Sequence, residues 1–198
     1  MAFGGVKGTL SGNALSITNP MNATGSVSVA VGDLLICVVG ERTLITTTGV
    51  TDNLGHTYTA QDAGIDGGNG TAIAFWKIAT SAGTLTTQSA ACTASADDCG
   101  IVGAVYEGPY AASPLDKSPA GVSDSLTPWL GPATGVLSQA DELALFYFGT
   151  GNGATGCVCS AGTVDAQAGT GTGSGTSSIA LARLSVGESP IWKNPRTQ

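Results

Sequence analysis

Apolar and polar residues alternate along much of this chain, and this period of two constrains the fold more than any other feature. Ala14 to Thr18 and Ser26 to Val31 alternate in this way, and Gly32-Asp33 then marks a turn before the continuous apolar run Leu34 to Val39. Alternation is typical of a half-buried strand, whereas a short apolar run suits a strand buried on both faces. Helical spacing is almost absent, so the sequence predicts an all-β fold.

Further strands are predicted wherever β-branched and aromatic residues are bounded by turn signals, and Asp52-Asn53-Leu54-Gly55 is such a signal before His56. The predicted segments are His56–Ala60, Thr71–Ala79, Gly83–Ser89, Gly100–Glu107, Glu142–Gly149, Gly156–Ser160 and Ser178–Val186. About nine or ten short strands with turns every 8 to 12 residues indicate a two-sheet antiparallel sandwich, with a jelly roll as the leading version.

The composition agrees with a folded, β-rich domain. The chain has 198 residues, of which 30 are Gly, 25 Thr and 18 Ser, and 42% of its residues are hydrophobic. Only seven residues are Lys or Arg and the net charge is −7, which weighs against nucleic acid as a partner. Apolar runs such as Leu143 to Phe148 are far shorter than the roughly 20 residues of a membrane-spanning helix, so no membrane partner is predicted.

The domain organisation follows from the same pattern. We predict a flexible N-terminal arm over residues 1–12, one sandwich domain over residues 13–187, and a C-terminal tail over residues 188–198. Five of the eight prolines fall in residues 108–133, which indicates a long surface connection. The Gly-rich stretch Ala168 to Ser178 is of low complexity and is predicted to be flexible. Because Met1 to Gly12 contain no apolar secretory signal, we expect synthesis and assembly in the cytoplasm.

Five cysteines leave at least one without a partner in the chain. Cys37 lies inside an apolar run and is predicted to be a buried thiol. Cys92 and Cys99 flank a short polar stretch, so they could form a disulfide across a hairpin or remain as two exposed thiols. Cys157 and Cys159 are two residues apart on a predicted strand and face the same way, which suits two ligands or two bonds to another chain.

No motif in the sequence carries catalytic or metal chemistry. His56 is the single histidine, and without a nearby nucleophile motif we interpret it as structural. A zinc site would require four ligands of familiar spacing, and the acidic residues of the Gly-rich loops do not match a calcium motif. We therefore predict no catalytic residues, no cofactor and no metal, and expect that the protein is not an enzyme.

Trp129 and Trp192 lie in segments where an exposed aromatic side chain is plausible. Two roles remain open for them. Large aromatic side chains in a Pro-rich connection favour a clamp onto the sandwich or a subunit interface, whereas exposed rings in a row could stack against sugars.

Residues from about Asn13 to Ser118 resemble a β-sandwich domain of phage and prophage structural proteins and of bacterial surface proteins. The resemblance rests on the segments Val31–Val39 (VGDLLICVV), Gly49–Thr59 (GVTDNLGHTYT), Ile73–Ala79 (IAFWKIA), Val105–Pro109 (VYEGP) and Ser113–Asp116 (SPLD). In that pattern Asn is commoner at the position of His56. The resemblance implies a structural role more than an activity.

This resemblance implies a virion structural protein, most simply a capsid decoration or cement protein located in the virion. Its partners would be copies of itself, with a trimer as the expected oligomer, and the major capsid protein or another virion protein. We expect one apolar face of the sandwich to bury against identical neighbours and another against the shell, and Cys157 or Cys159 to form interchain disulfides. The alternative is a carbohydrate- or receptor-binding module of a tail fibre or surface protein.

Overall fold

The computed structural model describes twelve segments of the chain. They are residues 5–14, 19–41, 47–61, 64–66, 70–92, 99–111, 129–130, 143–150, 158–159, 163–169, 178–184 and 191–193. These residues form strands, bridges and turns, and none of them is helical. Every strand pair among them is antiparallel.

Nine strands form one sheet, here called the large sheet. They are β1 (Val6–Ala14), β2 (Met21–Val29), β3 (Leu34–Glu41), β4 (Thr47–Asp52), β5 (Thr59–Ala60), β6 (Gly64–Asp66), β7 (Gly70–Ile78), β8 (Gly83–Cys92) and β9 (Cys99–Tyr106). Their order across the sheet is β4-β8-β2-β1-β9-β3-β7-β5, and β6 also pairs with β7.

Six further strands form two sheets of three. These strands are β10 (Trp129–Leu130), β11 (Ala144–Thr150), β12 (Val158–Cys159), β13 (Thr163–Gly169), β14 (Ser178–Leu184) and β15 (Ile191–Lys193). The order β11-β14-β13 defines the cover sheet, and the order β10-β15-β12 defines the terminal sheet. Ten of the fifteen described strands have six or more residues, and the fold is antiparallel and all-β, so the predicted fold class is confirmed.

The strands β3 and β9 form a middle layer that is buried on both faces. All eight residues of β9 are buried, as the predicted apolar run of β3 also is. On one face Cys37 and Val105 pack into a core that the curled large sheet surrounds. On the other face Val38 and Val102 pack against Ile179 of the cover sheet. Because each strand sends alternate side chains to opposite faces, this layer stiffens both cores at once.

The predicted flexible arm over residues 1–12 is wrong for residues 6–12, which lie in β1. This strand pairs with β2 on one side and along its length with β9 on the other. The inward positions Gly8 and Gly12 explain why the pattern was missed. A Cβ on Gly12 would lie 2.0 Å from the carbonyl oxygen of Asn22, so the close approach of the two strands requires glycine here. Glycine has no apolar side chain, and the inward face of β1 is therefore not visible as a row of apolar residues.

Two other predictions of irregular chain need correction. The low-complexity stretch begins inside β13, which continues to Gly169, and residues 191–193 of the predicted tail form β15.

The predicted strand His56–Ala60 is reduced to β5. Its first half folds back along β4, where Tyr58 donates its backbone N–H to the Val50 carbonyl at 3.0 Å. Most of the predicted Pro-rich connection over residues 108–133 lies outside the described residues.

Candidate functional site

A buried cluster of polar side chains begins at Asp52, at the end of β4. Its Oδ1 accepts the backbone N–H groups of Leu54 at 2.9 Å and His56 at 3.0 Å, and its carbonyl accepts the N–H of Gly55 at 3.2 Å. Gly55 has a φ of 84°, in the left-handed region that glycine adopts readily. The predicted turn over Asp52-Asn53-Leu54-Gly55 is therefore confirmed, and the Asp52 side chain closes it.

The second oxygen of Asp52 holds two more side chains. Oδ2 lies 2.8 Å from Nδ1 of His56 and accepts the hydroxyl of Tyr58 at 2.9 Å. The side chains of Asp52 and His56 are 0% and 1% exposed. Burial raises the pKa of the Tyr58 hydroxyl, and the nearby negative charge of Asp52 raises it further. With four donors around it, the buried carboxylate is fully hydrogen-bonded.

The other nitrogen of His56 receives donors from the turn between β7 and β8. Nε2 accepts the backbone N–H groups of Thr80 at 3.2 Å and Ser81 at 3.3 Å, and lies 3.0 Å from Oγ of Ser81. A backbone N–H can only donate, so Nε2 carries the lone pair and Nδ1 carries the proton given to Asp52. His56 thus fastens the turn after β4 to the turn before β8.

Ser81, His56 and Asp52 have the spacing of a hydrolase triad, which the sequence did not reveal because Ser81 lies 25 residues from His56. A general base needs a lone pair open to the serine proton. Here that lone pair already accepts two backbone N–H groups, and Oγ of Ser81 also lies 3.2 Å from the Leu54 carbonyl, to which it can donate. The arrangement therefore acts as a joint between loops, in agreement with the structural interpretation of His56.

Gln88 extends this cluster across the core. Its Nε2 donates to the hydroxyl of Tyr58 at 2.9 Å and to the carbonyl of Ile36 on β3 at 3.1 Å. Gln88 is 0% exposed, and its Oε1 has no hydrogen-bond partner among the described residues. The chain of contacts from Asp52 through Tyr58 to Gln88 links the edge strand β4 to the middle layer.

A second buried carboxylate, Asp33, holds together one end of the large sheet. Its Oδ2 accepts the backbone N–H of Ala30 at 2.8 Å and lies 2.7 Å from Nζ of Lys7, and its Oδ1 accepts the N–H of Gly108 at 2.9 Å. Burial alone would raise the pKa of Asp33, but the donors from Ala30, Lys7 and Gly108 outweigh it and hold the pKa below its usual range. Asp33 thus ties the start of β1 to the turn before β3 and to the chain after β9.

A third buried carboxylate, Asp165 on β13, joins the cover sheet to the middle layer. Its Oδ2 accepts the hydroxyl of Tyr106 on β9 at 2.8 Å, and Nε of Arg183 on β14 lies 2.8 Å from the same oxygen. The Asp165 side chain is 1% exposed and that of Arg183 is 29% exposed. Burial raises the pKa of Tyr106, and the charge of Asp165 adds to this effect.

The predicted cysteine pairing is not formed. Cys92 and Cys99 are thiols in the structure and both are buried, which corrects the prediction of a bridge and also the alternative of two exposed thiols. The sulfur of Cys92 lies 3.8 Å from the hydroxyl of Thr47 on the neighbouring strand. Cys37 is a buried thiol as predicted, and burial raises its pKa. Cys157 lies outside the described residues.

Three predicted site residues share one row of the terminal sheet. Trp129 on β10 is paired with Trp192 on β15, and Trp192 is paired with Cys159 on β12. Trp129 and Cys159 lie 63 and 33 positions before Trp192 in the sequence, and the sheet brings the three backbones together. Directly opposite residues of adjacent strands belong to the same face of a sheet.

Two absences concern the described part of the chain alone. It contains no group of three His, Cys, Asp or Glu residues suited to a metal ion. It also contains no helix with the length and apolarity to cross a bilayer. Val31, at 64%, is the exposed side chain among the large hydrophobic residues that the structure describes. The expected apolar contact face is therefore not found in these segments.

Most of the buried polar groups carry no signal in the sequence. Gln88 and Asp165 occur in segments without a motif, and the segment VYEGP around Tyr106 does not indicate a buried hydroxyl. The signals in the sequence were the turns at Gly32-Asp33 and at Asp52 to Gly55, whose aspartates prove to be buried and hydrogen-bonded.

Comparison with known proteins finds no match: no family model, no curated protein and no solved structure is significantly similar to this chain.

Proposed function

We propose that this chain is a virion structural protein, and in particular a capsid decoration or cement protein that acts through contacts between subunits. One observation carries the proposal: three carboxylates in the described segments, Asp33, Asp52 and Asp165, have side chains that are at most 4% exposed, and each fastens separate parts of the chain. Buried charge used in this way supports a stiff building element, because removing any partner leaves an unpaired buried group.

The three-layer arrangement supports the same role. Tyr106 and Asp165 connect strands of two sheets across 59 positions of the chain, so the cover sheet resists sliding over the middle layer. The segments Val31–Val39 and Gly49–Thr59, on which the resemblance to phage structural domains rests, contain Asp33 and Asp52. A subunit of this kind would act with further copies of itself and with the major capsid protein.

Binding of the purified chain to viral shells tests the proposal. Shells of the source phage that lack the chain are mixed with increasing amounts of it and pelleted through a sucrose cushion, with an unrelated acidic protein of similar size as control. We expect the chain to pellet with the shells, to saturate at a multiple of the shell's symmetry sites, and to raise the temperature of genome release. A chain that stays in the supernatant at saturating concentration would refute a decoration role.

A carbohydrate-binding module is the second candidate, and the pairing of Trp129 with Trp192 favours it. Aromatic residues in one row of a sheet are a common platform for sugar rings, since each ring offers a flat apolar face. A glycan array distinguishes the two candidates. Signals that disappear in Trp129→Ala and Trp192→Ala, while Trp76→Phe on β7 retains them, would support sugar binding, and a blank array would exclude it for the glycans displayed.

A further inference from the structure

The outer face of β4, β8, β2 and β1 carries two rows of uncharged polar side chains. One row is Thr51, Ser89 and Asn22, which are paired in register across β4, β8 and β2. The other row is Thr87, Thr24 and Ser11, paired across β8, β2 and β1. We call these six residues the hydroxyl face. Four of them are exposed, and Ser89 and Thr87 are half-buried.

The hydroxyl face has a fixed shape because the other side of the same strands forms the core. Leu10, Met21, Val50 and Ala90 lie on these strands and are at most 2% exposed. Ser89 donates its hydroxyl to Oδ1 of Asn22 at 2.7 Å, within the first row. Short side chains on a rigid sheet lose little conformational entropy when a partner covers them, in contrast to Lys or Glu.

None of the six residues of the hydroxyl face is charged. The four strands contain two ionisable side chains that carry charge, Lys7 and Asp52, and both are engaged with Asp33 or His56 at the ends of their strands. The whole chain carries a net charge of −7, so two copies repel one another across most orientations. Contact through the hydroxyl face brings no two charged side chains together and avoids the cost of desolvating a carboxylate.

We propose that the hydroxyl face is the surface through which two copies of this chain associate. A contact about a two-fold axis requires a surface that is complementary to itself, because residue i meets residue j and j meets i. Hydroxyl and amide groups satisfy this condition since each both donates and accepts hydrogen bonds, whereas a face of one charge does not. The inference rests on the proposed function, in that it names the surface by which subunits meet.

The area of the hydroxyl face determines how strongly two copies are expected to associate. Four strands about 4.8 Å apart and about six residues long span roughly 14 Å by 20 Å. This is less than half of the roughly 800 Å² that each partner buries in a typical stable interface. Association of the isolated chain is therefore weak, and many such contacts in a shell add up through multivalency.

Sedimentation velocity of the full chain between about 5 and 500 µM tests this inference. Wild-type protein is expected to show dimers at high concentration, and more of them at 500 mM than at 50 mM NaCl, because salt screens the net repulsion without weakening neutral contacts. Thr24→Glu is expected to weaken association at least about tenfold, since like charges then face each other. Thr59→Glu, the same change at an exposed position on β5, is expected to leave it unchanged.

A charge swap identifies the partner as a second copy. Thr24→Glu and Thr24→Lys should each be monomeric alone and associate when mixed, with circular dichroism confirming that both are folded. Association of Thr24→Glu at the wild-type level, or equal weakening by Thr59→Glu, would refute the hydroxyl face while leaving the proposed function intact. Wild-type protein that remains monomeric up to 500 µM would also refute it, and shell pelleting then judges the proposed function separately.

Discussion

Gly103 on β9 lies against the carboxamide of Gln88 on β8, so closely that a Cβ on Gly103 would fall 1.7 Å from Gln88 Oε1. Gln88 is fully buried and is held by Tyr58 and Ile36, so the carboxamide cannot move aside without losing hydrogen bonds. The close approach of β8 to the middle layer depends on the missing side chain.

Gly103→Ala is therefore expected to destabilise the protein by about 1–3 kcal/mol through overpacking. The measurement is the free energy of unfolding in urea. Gly49→Ala on β4 is the matched control, since no atom lies within 4 Å of a Cβ built there, and its effect should stay within about 0.5 kcal/mol. In the double variant Gly103→Ala with Gln88→Ala, the loss in free energy of unfolding should be smaller than the sum of the losses in the two single variants, because the clash is gone. Strict additivity would show that the two residues do not interact.

Asp52→Asn is expected to cost about 3 kcal/mol, because an amide nitrogen would replace one of the oxygens that accept four buried donors. Ser81→Ala removes one partner of His56 and is expected to cost about 1 kcal/mol, since the two backbone N–H groups remain on Nε2. Urea unfolding of both variants measures the difference.

A chemical probe can distinguish a structural role of Ser81, His56 and Asp52 from a catalytic one. A fluorophosphonate probe should not label Ser81 in the folded protein, because Nε2 of His56 has no free lone pair to take the serine proton. Labelling of Ser81 that disappears in His56→Ala would overturn the structural interpretation and assign hydrolase chemistry to this site.

Acid should weaken the protein through Asp33. Its pKa in the folded state lies below the ordinary value of 3.8, so the folded state favours the deprotonated form more than the unfolded state does. The resulting stability is present above the unfolded pKa of about 3.9 and is lost as the pH falls through the lower folded pKa. Urea unfolding between pH 6 and 2 should show this loss, and in Asp33→Asn the slope over the same range should be shallower. An unchanged slope would contradict the assignment.

Base should weaken the protein through two buried tyrosines. Burial raises the pKa of Tyr58 and Tyr106 above the ordinary value of 10.0. Stability from these groups is therefore present below pH 10 and is lost as the pH rises above it, because the unfolded chain ionises first. Absorbance at 295 nm should show both hydroxyls titrating together with unfolding. Tyr58→Phe and Tyr106→Phe should each make unfolding less steep in pH, whereas a titration that precedes unfolding would refute the burial effect.

Local pattern was enough to predict much of the fold. The apolar run Leu34 to Val39 predicted a strand buried on both faces, and β3 is such a strand. The turn at Asp52 to Gly55 also followed from residue types, because an Asx turn and a left-handed glycine depend on neighbours in the chain. Features of this kind are decided within a few residues, so sequence alone determines them.

The order of the strands and the polar joints were decided by the tertiary structure. β1 escaped prediction because its inward positions include Gly8 and Gly12, where neighbouring strands approach too closely for a side chain. Ser81 meets His56 because two turns of the large sheet come together, and Tyr106 meets Asp165 because the cover sheet packs on the middle layer. No residue type signals such a meeting in advance, since a buried carboxylate is stable only once its donors are assembled around it.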